Sequence, residues 1–86
     1  MIEVNKSIKV LAVFEPGKPP RPYKFKVKED FRNEEHEVYI DEVTNVDTRS
    51  LQFILFHCVS HYESTSKRYI LQLMRKDLSW KLYKSE

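Results

Sequence analysis

The chain predicts an all-β fold: one small domain, residues 1–86, built as an antiparallel barrel or a strongly curved sheet of five to six strands. Three observations carry this. The densest apolar run, LQFILFHCVSHY at 51–62, is rich in β-branched and aromatic residues and apolar on both alternating faces. The stretch YKFKVKE at 23–29 alternates apolar residues and lysines without a fault. A second apolar run at 67–74 follows the first after the polar break ESTS, which is the order of a hairpin.

Residues 1–7 read as a loosely held start. The first strand is IKVLAVFE at 8–15, with Ile8, Val10, Ala12 and Phe14 on one face and Leu11 and Val13 on the other. A strand apolar on both faces is placed beside the central one. Residues 16–22, PGKPPRP, hold all four prolines and the single glycine, so this basic loop is a turn with a stiff extended leg. Its KPPRP is similar to the basic PxxP ligands of SH3 domains, and a rigid connector needs the same residues.

In 23–29, Tyr23, Phe25 and Val27 share the inner face and Lys24, Lys26 and Lys28 the outer one. Residues 30–36 are a charged loop with room for one helical turn. The next strand, EVYIDEVTNV from Glu37, changes its apolar face between Ile40 and Val43, and a bulge near Asp41 and Glu42 accounts for the slip. Residues 47–50 turn into the central strand.

That strand, 51–62, is covered on both sides in its middle, where Phe53, Ile54, Leu55, Phe56 and Val59 crowd both faces. The hairpin ESTS lacks glycine and predicts a loop of three to five residues. Residues 67–75 return as a strand. A helix over 67–78 is the alternative, because Ile70, Leu73 and Met74 also fit a helical stripe; the turn at 76–79 and the short alternating strand 80–84 favour the strand. The last strand turns Trp80 and Leu82 to the core.

A net charge of +2 conceals a segregation. Residues 29–47 carry eight acids against one base, Arg32, a local −7 that leaves +9 on the remainder. Such a segment is either a binding face or a solvated surface complementary to the basic one. The lysine row 24, 26, 28 has two readings as well. Ammonium groups roughly 6.6 Å apart along a strand can track a phosphate backbone, and lysines also guard edge strands against pairing with other molecules.

His57, Cys58 and His61 sit within five residues, but on a strand the histidines stand roughly 13 Å apart and the cysteine points the other way. No metal site is expected there. Cys58, the single cysteine, lies in the most apolar run and reads as an inert buried thiol. The carboxylates Glu34, Glu35, Glu37, Asp41 and Glu42 crowd a charged segment rather than an apolar cleft that would raise a pKa. With no nucleophile motif, phosphate loop or dinucleotide fingerprint, the chain reads as non-enzymatic and without a cofactor. It carries no signal peptide, lipidation motif or apolar run long enough to span a bilayer, so a cytoplasmic location and no membrane partner are expected.

The pattern from Phe56 to Leu82, with Tyr69-Ile70-Leu71 and then Trp80-Lys81-Leu82, resembles the ending of small uncharacterised bacterial all-β domains of unknown function. The resemblance implies the all-β fold and carries over no activity, cofactor or functional residue. What remains is a binding or assembly module. Its expected partner is another protein or a second copy of the chain in a homodimer. The alternative is single-stranded nucleic acid, held on a basic face with interleaved aromatics: Lys24, Lys26, Lys28, Lys67, Arg68, Tyr69, Lys81 and Tyr83, joined by Tyr23, Trp80 and Lys84.

Overall fold

The computed structural model describes residues 1–28 and 34–86, and its described residues form an all-β domain of seven antiparallel strands. They are β1 (Ile2–Val13), β2 (Arg21–Lys28), β3 (Glu35–Tyr39), β4 (Glu42–Asp47), β5 (Phe53–Tyr62), β6 (Thr65–Met74) and β7 (Trp80–Ser85). The order across the sheet is β3-β2-β1-β7-β6-β5-β4, curled into a half-barrel around one core. Thr65–Met74 is a strand and not the helical alternative, and Arg75 already lies in the following turn.

Alternation builds the core. Ile54, Phe56 and Cys58 of β5 face Leu73, Leu71 and Tyr69 of β6 pair by pair, and all six are buried. Leu82 of β7 and Phe25 of β2 complete the layer, with Phe25 edge-on to Tyr69 at 5.2 Å and Trp80 against Phe56 at 5.3 Å.

The strand expected from Glu37 through Val46 is two strands, which raises the count above six. The phase change seen in the sequence is not a bulge but a corner. There Ile40 N–H donates to the Tyr23 carbonyl on β2 at 2.8 Å, and the next amide, Asp41 N–H, donates to Val59 on β5 at 2.9 Å. Successive amides thus tie the two ends of the curl, and Ile40 is sealed into the core at 5% exposure.

Other expectations are corrected. Residues 1–7 are not a loose start: Ile2 pairs with Ser85 and Ile8 with Trp80, and Val4 packs on the core. The polar triplet Asn5-Lys6-Ser7 hid this strand, which is bulged between Glu3 and Lys6 with Asn5 at φ 53°. β1 does not lie beside β5. Its first part pairs with β7 and residues Lys9 to Val13 pair with β2. Consequently β2 lies inside the sheet, between β1 and β3, and its lysines guard no edge. The sheet ends instead on β3 and β4, whose Glu35, Glu37, Glu42 and Asp47 supply the charge that discourages edge pairing.

The central strand starts at Phe53, because Leu51 and Gln52 belong to the preceding turn and Leu51 is 94% exposed. Arg75 clamps that turn through the carbonyls of Thr48 and Ser50. β5 is sealed on one face only: Phe53, Leu55, His57 and Val59 are half-buried. The β5–β6 loop is two residues long, since Tyr62 pairs with Thr65, and Glu63 adopts φ 55° without the help of a glycine. Most of the charged loop expected at 30–36 lies outside the described residues, and its last two residues, Glu35 and His36, open β3.

Candidate interaction face

The outer surface of β1, β2 and β3 gathers exposed side chains that the alternation of three strands aligns. In β1 the residues facing in are Ile8, Val10 and Ala12, which leaves Leu11 and Val13 outside at 57% and 44% exposure. On β2 the pairing slips by one residue, with Leu11 opposite Lys24 and Ala12 opposite Pro22, so Tyr23 is the extra residue of a bulge. A bulge breaks strict alternation. Pro22 takes the buried place that the sequence assigned to Tyr23, and Tyr23 stands outside at 43% exposure under the Arg21 guanidinium, 5.2 Å from its ring.

Pairing then lays the face out in rows. Leu11, Lys24 and Tyr39 form one, with Tyr39 60% exposed; Lys9, Lys26 and Glu37 form the next; Lys28 and Glu35 form the third. The face is apolar and aromatic at the Val13 end and charged at the Lys28 end.

Its electrostatics are partly internal. Lys24 Nζ lies 2.5 Å from Glu37 Oε1 and 5.5 Å from the Tyr39 ring centre. That hydrogen bond raises the Lys24 pKa and lowers that of Glu37. Lys9 pairs with Glu35 at 3.4 Å. Over β3, Glu37 and Glu35 of the acidic segment thus pair with Lys24 of β2 and Lys9 of β1. Among the described residues, neither Lys26 nor Lys28 has a carboxylate within ion-pair distance. Beyond the Lys9–Lys26 pair β1 departs from β2 towards β7. The parting leaves a cleft of about 300 Å³ lined by Ser7, Ile8, Lys9, Lys26, Lys28 and Glu35. A smaller depression of about 230 Å³ adjoins it, over Lys9 to Leu11 and Lys24 to Lys26.

The other residues of the expected basic–aromatic face do not join it. Lys67 and Arg68 lie exposed on β6, and Lys81 and Tyr83 half-buried on β7, with β1 between them and β2. Arg68 is engaged by Glu86, and Lys84 sits over Tyr83. Tyr69 is not on an outer face: its ring is buried against Phe25, and burial raises its pKa. What the sequence reading missed is the apolar half of the face, Leu11, Val13 and Tyr39. The alternation that exposes Leu11 and Val13 is visible in the sequence, but it equally fits a strand covered on both sides.

No metal-binding group of three His, Cys, Asp or Glu exists among the described residues. Cys58 points into the core, where burial pushes its thiol up to about 12. His61 shares a 2.7 Å hydrogen bond with Ser66 and stands 3.6 Å from Glu42. This Ser–His–Glu trio lies on an exposed cross-strand pair beside a hairpin turn, where water solvates all three groups, so it works as a surface tie between strands.

No protein family, curated protein or solved structure matches this chain. The face therefore stands on its own geometry. Among the described residues, which form strands and their connections, no helix is long and apolar enough to cross a membrane.

Proposed function

We propose that the protein is a non-enzymatic binding module of the cytoplasm that docks another protein on the outer face of β1, β2 and β3. One observation supports this above all: Leu11 and Val13, on the outer face of β1, and Tyr39, across Lys24 in the Leu11 row, are exposed on a ladder whose register is fixed, at 57%, 44% and 60%. Exposed apolar side chains gathered on one face among polar groups suit an interaction site. An exposed tyrosine on a rigid strand offers a large contact area at low entropic cost.

The test places a photo-crosslinking amino acid at position 11 and, as a control, at the exposed position 51, in cells expressing the full chain. A discrete adduct from position 11 and none from 51 is the expected result. Equal or absent crosslinking from both removes the reading.

A second reading is single-stranded nucleic acid, favoured by Tyr23 and Tyr39, two exposed rings each beside a cation. Light scattering on the purified chain with a mixed-sequence oligonucleotide, at low and high salt, separates the two. Comigration at low salt that vanishes at high salt selects nucleic acid.

A further inference from the structure

Resting on that docking face, we infer its ligand: an extended segment that sets one apolar side chain on the Leu11–Tyr39 row and carboxylates, two and four residues further on, against Lys26 and Lys28. Charge complementarity in register selects it. Both acids of β3 are used, Glu37 by Lys24 and Glu35 by Lys9. Lys26 and Lys28 are then the cations of these rows without an ion pair among the described residues. They lie one and two rows beyond the apolar row, and each row is two residues of strand, roughly 6.6 Å. An extended peptide has the same repeat, so its residues i, i+2 and i+4 meet the three rows in turn.

The cleft of about 300 Å³ that opens where β1 leaves β2 gives the acidic end its room. Opposite charge then selects an acidic ligand and suppresses basic ones. Nucleic acid is the poorer match, because Leu11 offers no π-face to a base and Lys24, over the Tyr39 ring, is already held by Glu37.

The experiment is an NMR titration of the full isotope-labelled chain with the peptide Phe-Ser-Glu-Ser-Glu and its reverse, both capped. Controls are Ser-Ser-Glu-Ser-Glu, Phe-Ser-Ser-Ser-Ser and oligothymidylate. The expected result is that the better of the two orders binds at least tenfold tighter than either control peptide and shifts the amides of Leu11, Lys24, Lys26 and Lys28. In the variant Lys26→Gln with Lys28→Gln, affinity falls to that of the acid-free peptide while the core amides stay in place; the single variants serve if the double one unfolds. Binding no tighter than the acid-only peptide, shifts centred elsewhere, or displacement by oligothymidylate overturns the inference. If position 11 crosslinks but the peptides do not discriminate, only this inference falls. If position 11 gives no adduct, the docking face falls with it.

Discussion

Replacing Ile40 by Ala attacks the corner that holds the curl together. The side chain is 5% exposed and lies in the core cluster, at the point where successive amides reach β2 and β5. Truncating a buried Ile to Ala costs about 2–5 kcal/mol, the range reflecting how far the cavity collapses. This site sits between two ends of a sheet that cannot move together without breaking those amide bonds, so about 3 kcal/mol is expected. On a domain this size that is a fall in melting temperature of about 10–20 °C. Val38→Ala is the internal comparison. Val38 is half-buried on the same segment, and its loss costs about 1 kcal/mol. Urea unfolding followed by Trp80 fluorescence measures both, since Trp80 packs on Phe56 and reports the core. If Ile40→Ala costs no more than Val38→Ala, the corner is not part of the core and the account of closure is refuted.

Three further outcomes are expected. The Arg49 guanidinium and backbone amide hold the Asp47 carboxyl down at about 2 from 3.8; a carboxylate lowered on folding adds stability that is present above its unfolded value and lost as pH falls from about 4 towards 2, so Arg49→Gln returns the Asp47 titration, read by NMR, towards 3.8 and removes that part of the acid sensitivity. Cys58, with its thiol pushed up to about 12, reacts with Ellman's reagent only as fast as the domain opens, and rapid labelling of the native chain contradicts its placement. Glu63→Gly relieves a side chain held at φ 55°, and thermal unfolding registers a gain of about 0.5–1 kcal/mol, whereas a loss means that the turn is not strained.

Sheet patterning was legible where one face is buried and alternation is unbroken, as in Ile54-Phe56-Cys58 and Leu71-Leu73. It failed at each local departure from alternation. The bulge at Tyr23 shifts the phase by one residue, and Pro22 fills the inner place in a way no period of two can announce. The corner at Ile40 and Asp41 left a trace, the change of apolar face, but not the strands its amides reach, because those lie far away in sequence. Glu63 overrides the preference for glycine in a two-residue turn because ten paired positions on either side fix the register.

The interaction face was half visible. Lys24, Lys26 and Lys28 stood out by alternation, but the pairing of Lys24 with Glu37 depends on β3 lying beside β2. Leu11 and Val13 were misassigned for a physical reason. Apolar residues on both faces of a strand do not distinguish a strand covered twice from one whose second face awaits a partner.

The most direct test of the docking face is the native size of the chain expressed at its natural level, compared with a variant carrying Leu11→Asp and Tyr39→Asp. The account predicts that the unaltered chain migrates in an assembly well above its own 10.4 kDa, while the variant, with unchanged melting temperature, migrates alone. Identical migration of the two, whether alone or assembled, contradicts it.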